Sequence, residues 1–365
     1  MITFFTRGFT ILVCVLLFPL GVAFALEPGE SIVLDPVTGN YTLTYSDTQD
    51  DGSKTLSHAT FCPSTKIAPS LDSKFHLGEA GAVNYSYSVS SGTQSRQILT
   101  AFRFNLAGKV VGSQDLPTNI QAASEAQVSA VFEANKLALI TPVGWEGFIS
   151  TYEGGASISW DTNSTAGIPP KGHLKGFGFS SQSLPGLGAA QFKGACRFVN
   201  GYGGEGPNPD SDISKQIQVL DQNNFVRRNA AVPTIAVPDP FDAAVTLERI
   251  QTQMHTWIAM QLLDATFSSQ LDRYFQSAIS AYRLNQPKVG KQQIEAMRAL
   301  IKKEQPDLGR DEEHESDKNQ EKNDDRKSAL IDKLAARILD FDLKYVTKHI
   351  DSDDEEHGST NQRER

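Results

Sequence analysis

The spacing of apolar residues changes once along this chain, from a period of two to a period of three or four, and that change sets the fold class. Tyr41, Leu43 and Tyr45 alternate with Thr and Ser; Val83, Tyr85, Tyr87 and Val89 repeat the pattern, and so does Ile98 to Leu106, where Phe102 and Phe104 share a face. Successive side chains of a strand point to opposite faces, so these segments read as antiparallel strands with one face buried and one wet. Turn signals at Val37-Thr38-Gly39-Asn40, Asp50-Asp51-Gly52, Ser91-Gly92 and Ala107-Gly108 punctuate them. The combination predicts an antiparallel β-sandwich over residues 26–200. Gly144 to Phe148, Ser157 to Trp160, Leu174 to Phe179 and Ala190 to Phe198 add strand-like stretches, while Ile120 to Lys136 fits helix and strand equally.

Past Phe241 the apolar residues recur every three or four positions: Leu247, Ile250, Met254, Trp257 and Ile258; then Leu271, Phe275, Ile279 and Tyr282; then Ile294, Met297, Leu300 and Ile301; then Leu330, Leu334, Ile338, Phe341 and Tyr345. Each set makes one apolar stripe on a helix, which predicts a small helical bundle over residues 242–350. The fold class is therefore α+β by segregated domains. Residues 201–241, rich in Gly and Pro, read as a linker or an extended arm across the surface. Residues 311–326 are acidic and polar with no apolar side chain, and residues 351–365 are similar, so both are predicted to be disordered.

The chain opens with Arg7, an apolar run from Ile11 to Phe18 and the small-residue pattern Ala23-Phe24-Ala25. A charged start, an apolar core and an Ala-x-Ala site predict a signal peptide over residues 1–25, cut after Ala25. The run falls short of the roughly 20 residues that span a bilayer, and no later window reaches that length, so no stable membrane insertion is expected after cleavage. The mature protein is expected to be secreted or periplasmic, with surface association open. A net charge of -9 argues against nucleic acid, whose phosphates are bound by basic patches. Cleavage leaves Cys62 and Cys196, and two cysteines in an oxidising compartment predict one disulfide. Such a bridge contributes on the order of 4 kcal/mol by chain entropy.

The region from Leu271 to about Val346 resembles the FIMAH-type helical module at the carboxyl end of secreted bacterial proteins. The resemblance rests on the helix Leu271 to Leu284, the turn Asn285 to Gly290, the helix Gln292 to Lys303 and the closing helix Leu330 to Val346. The acidic insert Asp311 to Arg326 stands where that family has a short turn. The resemblance implies an accessory, non-catalytic module. Gly144 to Gly194 is similar to strand patterns of uncharacterised bacterial surface proteins, which bring no activity with them.

The usual catalytic constellations fail one by one. There is no Gly-x-Ser-x-Gly elbow, no His-Glu-x-x-His zinc helix and no Gly-x-x-x-x-Gly-Lys phosphate loop. Asp47, Asp51 and Gly52 match part of a calcium loop, but Gln49 and His58 occupy ligand positions, and a polar turn accounts for the segment better. The seven histidines are scattered, with His255 and His349 on helices. No catalytic, cofactor-binding or metal-ligating set is expected. Among the carboxylates, Glu146 and Asp161 beside the tryptophans are the pair to inspect for a hydrolase. Trp145, Trp160 and Tyr202 lie near Gly-rich turns and are candidate stacking surfaces for a ligand, against the competing expectation that a sandwich Trp belongs to the core.

These readings converge on a secreted, non-enzymatic binding or structural module for an extracellular protein or polysaccharide. The alternative is a secreted hydrolase acting on polysaccharide or peptide through acidic residues. In a third reading, the helical tail is an oligomerisation device.

Overall fold

A computed structural model describes residues 26–48, 51–78, 81–115, 123–152, 155–163, 165–195, 207–208, 210–222, 225–308 and 329–360. Residues 1–25, read above as a signal peptide, and Cys196, Tyr202, the acidic insert 311–326 and residues 361–365 lie outside the described residues. The chain divides into two units: residues 1–63 with 197–223, and residues 64–196 with 224–365.

The first unit is a three-stranded antiparallel meander, β1 (Ser31–Leu34), β2 (Tyr41–Thr48) and β3 (Lys54–Phe61), with the helix α2 (Asp212–Gln222). Alternation puts Leu43 and Tyr45 of β2 and Ala59 of β3 on one face, where they bury against Ile213 and Ile217 of α2. The β1–β2 turn closes because both Asp35 carboxylate oxygens accept local bonds, from the Val37 amide at 2.9 Å and the Thr38 hydroxyl at 2.6 Å. Gly39 then takes φ +66°, a conformation that side chains with a Cβ disfavour.

The second unit holds a sandwich. One sheet has the order β4 (Pro69–Leu77), β5 (Val83–Ser91), β10 (His173–Ser181), β7 (Leu139–Ile140). The other has the order β12 (Val226–Ile235), β11 (Leu184–Gly194), β6 (Leu99–Leu106), β9 (Gly155–Asp161), β8 (Glu146–Tyr152). Every pairing in both sheets is antiparallel. Their inner faces meet through aromatic rings: Tyr87 packs on Phe104 with centroids 4.7 Å apart, Phe102 on Phe177 edge-to-face at 4.8 Å, and Trp160 on Phe177 at 5.7 Å. Edge-to-face geometry suits the ring quadrupoles and adds about 0.5–1.5 kcal/mol per pair beyond area burial. The buried phenols are satisfied by backbone: the Tyr85 hydroxyl donates to the Ser183 carbonyl and the Tyr87 hydroxyl to that of Ala231, each at 2.8 Å.

Helices α3 (Ala243–Ala259), α4 (Ala265–Arg283) and α5 (Pro287–Glu304) follow the predicted stripes, burying Leu247, Ile250, Met254 and Trp257, then Leu271, Phe275 and Ile279, then Ile294, Met297 and Ile301. Helix α6 (Lys333–Thr360) starts after the exposed Leu330 and turns its buried face through Ile338, Leu339, Leu343 and Val346, so of its predicted stripe Ile338 and Tyr345 are buried. Their starts are chemically marked. Asp242 caps α3 through the Val245 amide, Asp264 caps α4 through the amides of Thr266 and Phe267, and Pro287 opens α5. The ambiguous stretch resolves as α1 (Glu125–Leu137), started by a capping box between Ser124 and Gln127.

Four expectations need correction. The fold is α+β with the helices mostly carboxyl-terminal, as expected, but the helices are not segregated from the strands: they share one apolar cluster with the sandwich, and Phe75 of β4 meets Phe341 of α6 edge-to-face at 5.1 Å. The strands β1 to β3 belong to the first unit instead of the sandwich. The linker segment contains α2 and β12, and β12 pairs with β11 from Val226 to Ile235. Pro233 fits there because β12 is the edge of its sheet, where a missing amide donor is tolerated. Finally, the backbone of α6 stays helical to Thr360, past the predicted end of the bundle. No disulfide-bonded pair occurs among the described residues: Cys62 follows β3, and its predicted partner Cys196 is outside them. Among the described residues no helix is long and apolar enough to cross a membrane.

Candidate functional site: the outer face of the five-stranded sheet

Register decides which side chains share the outer face of the five-stranded sheet. Trp160, Phe102 and Phe192 point inward in mutual register, so their alternate neighbours point outward. That places Asp161 and Ser159 of β9, Ala101 and Arg103 of β6, and Gln191 and Lys193 of β11 side by side, with Glu146 of β8 opposite Asp161 and Arg227 of β12 opposite Gln191. Glu146 and Arg227 are exposed, and Arg103, Asp161, Gln191 and Lys193 are partly so.

The centre of this face is ordered by specific contacts. The Arg103 Nε donates to Gln191 Oε1 at 2.9 Å. The Arg103 guanidinium lies 4.1 Å from the centre of the Phe225 ring and the Lys193 ammonium 4.7 Å from it, so one aromatic ring anchors two cations through its negative faces. Burial raises the Asp161 carboxyl above its ordinary value, and the nearby Glu146 charge adds to this; a Ser159 hydrogen bond and the Arg103 and Lys193 charges pull the other way. Directly opposed residues on antiparallel strands hold their Cβ atoms about 4.5–5.5 Å apart, so the two carboxyl groups are close neighbours. The face thus offers oriented cationic and amide donors next to a carboxyl that burial raises above its ordinary value.

The sequence expectations fare unevenly against this arrangement. Glu146 and Asp161 are brought together, by the β8–β9 register. Trp145 and Trp160 are corrected as stacking surfaces: they are 6% and 0% exposed. Their indole N–H groups are spent inside, donating to the Ala166 carbonyl at 3.2 Å and the Thr141 hydroxyl at 3.1 Å. Tyr202 lies outside the described residues. His255, seen in the sequence without a partner, sits 2.7 Å from Asp272 across α3 and α4. Asp51 and Gly52 form the β2–β3 turn, with Asp51 Oδ1 accepting from the Ser53 amide at 2.9 Å. Among the described residues no group of three or more His, Cys, Asp or Glu side chains is arranged to hold a metal.

Arg103, Gln191, Lys193 and Phe225 were not singled out from sequence. The signal was present in part: Arg103 alternates with Phe102 and Phe104, and Gln191 and Lys193 flank Phe192, so all three had to face away from the core. That β6 and β11 would be neighbours is a long-range pairing that local periodicity does not contain. A scan against protein-family models finds no match for this chain, and a search of curated proteins finds none either.

Proposed function

We propose that the chain is a secreted, non-enzymatic binding protein that holds a polar extracellular polymer, polysaccharide or protein, on the outer face of its five-stranded sheet. The observation that carries this reading is the Arg103, Gln191, Lys193 and Phe225 group, in which two cations and an amide are pre-positioned on a rigid sheet beside the Glu146 and Asp161 carboxyls. Pre-positioned polar groups lose little entropy when a ligand arrives, so they favour recognition. The signal segment and the net charge of -9 support an extracellular setting without nucleic acid. The FIMAH-like reading of Leu271 to Val346 belongs to the same proposal, with the helices there acting as an accessory to the binding sheet.

The test is thermal melting of the chain from Leu26 onward against surface polysaccharides and extracellular matrix proteins. A ligand at about one hundred times its Kd adds about 2.7 kcal/mol to the folded state. A melting shift that disappears in Arg103→Ala and Lys193→Ala supports the face as the site. A shift that both variants retain moves binding elsewhere and overturns it.

The hydrolase reading is favoured by one observation, the opposition of Glu146 and Asp161 with the Asp161 carboxyl raised. A retaining glycosidase needs two carboxyls about 5–5.5 Å apart, one of them carrying a proton, and opposition in register is what such a pair starts from. Release of reducing ends from a bound polysaccharide, abolished in both Asp161→Asn and Glu146→Gln, selects this reading over simple binding.

A further inference from the structure

Asp342 is a charged residue type in a place built for an apolar one. It lies on α6 four residues after Ile338 and four before Val346, on the stripe that also carries Leu339 and Leu343, and all five side chains are 0% exposed. Both of its carboxylate oxygens are buried and lack a hydrogen-bond partner. Among the described residues no cation stands within ion-pair distance of it. The elements packed on α6 are α3, α5, β11 and β12, with β4 meeting it through Phe75, and their ionisable side chains are paired elsewhere or reach solvent, as Lys74, Arg227, Lys288, Lys302 and Lys303 do. On α5, Arg298 binds Asp340 at 2.8 Å. On β4, Asp72 is 3.8 Å from Arg337. On α3, Glu248 pairs with Arg283, Arg249 donates to the Ala236 carbonyl, and His255 pairs with Asp272. On β11, Lys193 faces Phe225, and on β12, Arg228 donates to the Pro69 carbonyl. Tyr85 of β5 is close enough for the two groups to feel each other's charge, but its hydroxyl already donates to Ser183.

An ionised carboxylate in such a seam is strongly unfavourable, whereas a neutral carboxyl is only an unsatisfied polar group. We propose that Asp342 makes the seating of α6 on the sandwich pH-sensitive: with the carboxyl neutral the helix stays docked, and ionisation drives it off. Burial raises the carboxyl well above its ordinary value, so the folded state holds a proton that the unfolded chain has already released. The sign follows from linkage. Stability is complete below the unfolded chain's value and is lost as pH rises towards the folded one. Each pH unit in that window shifts the docked-to-undocked ratio about tenfold. A secreted chain meets extracellular pH directly, so α6 becomes a device whose state follows its surroundings.

The experiment follows thermal melting of the full mature chain from about pH 5 to about pH 8, beside Asp342→Asn and Asp342→Leu, which cannot ionise. The wild type is expected to melt lower as pH rises, and the two variants to lose that slope. Asp161→Asn, which removes another raised carboxyl, should keep it. Hydrogen exchange compared between wild type and Asp342→Asn at the same pH then locates the effect. Protection of α6 amides in the wild type should fall relative to the variant by up to about tenfold per pH unit. A flat wild-type profile overturns the proposal even if neither variant folds. So does a slope that survives in both variants, or a protection difference spread evenly over the sandwich.

Discussion

Tyr87 of β5 donates its phenolic hydrogen to the backbone carbonyl of Ala231 on β12, 2.8 Å away, so a side chain from the core of one sheet is fastened to the edge strand of the other. Burial pushes the phenols of Tyr87 and Tyr85 well above their ordinary value. Replacing Tyr87 by Phe removes the donor and should destabilise the sandwich by about 1 kcal/mol, read from urea denaturation. The folded state keeps both protons after the unfolded chain ionises, so stability falls as pH rises above the ordinary tyrosine value of 10.0. Tyr87→Phe should make that alkaline decline shallower.

Trp160 is a core residue, stacked on Phe102 with centroids 5.0 Å apart. Trp160→Ala should cost about 3–5 kcal/mol, since its volume cannot be refilled by neighbours already in contact. In the native protein a soluble quencher should barely reach the fluorescence of Trp145 and Trp160. Strong quenching in the cold, folded state would contradict their burial.

The Asp161 carboxyl is raised mainly by burial, and Arg103 and Lys193 hold it down. Its titration midpoint, followed by carbon NMR of the carboxyl, should lie above the ordinary 3.8. It should move further up in Arg103→Ala and down in Glu146→Gln, where a like charge is removed. A midpoint indifferent to both changes means that the four groups do not share a face in solution.

Arg298 and Asp340 join α5 to α6 at 2.8 Å, with side chains 14% and 20% exposed. Asp340→Asn keeps the shape and leaves a mostly buried guanidinium with only the more exposed Glu295, 3.2 Å away, as counter-charge, which should cost about 2 kcal/mol. The loss should appear as a lower denaturant midpoint with an unchanged slope.

Ending the chain near Asn200 removes β12 together with every helix after α1. β11 would then present an unpaired edge, and the apolar residues beneath the helices would be uncovered. The truncated chain should aggregate on expression, measured by light scattering. A soluble, folded monomer would restore the idea of a free-standing sandwich with a dispensable tail.

Much of this architecture was legible residue by residue, because β5, β6 and the helices each have one buried face and write that fact into their spacing. Leu43 and Tyr45, Tyr85 and Tyr87, Phe102 and Phe104, and the stripes of α3 to α5 are buried as their periods require. What failed was non-local. β12 begins Val226-Arg227-Arg228-Asn229 and contains Pro233, so its composition suggests a loop, and only the β11 ladder makes it a strand. The apolar stripes announced that the helices need a partner without saying that the partner is a sheet. Trp145 and Trp160 sit near glycines in sequence, but sequence proximity to a turn does not separate a ring that projects outward from one that closes the core. Glu146 and Asp161 were found because tryptophans drew attention to them, whereas the cations beside them depend on a pairing between strands β6 and β11 that lie far apart in the chain. Asp342 was not singled out from sequence, although it stands four residues after Ile338, and its burial gives that misfit a physical meaning.

Each unit of this protein is assembled from two separate stretches of chain, with the boundary crossed between Pro63 and Ser64, between Cys196 and Arg197, and between Asn223 and Asn224. The order of synthesis therefore differs from the order of completion. The first three strands emerge early but receive their covering helix only after most of the sandwich has been made, and β11 waits through that same helix for the strand that closes its side. Neither unit can finish folding on the ribosome before the other has largely emerged, so a stall or a cleavage anywhere between Gly194 and Val226 would leave two incomplete halves in place of a single damaged loop.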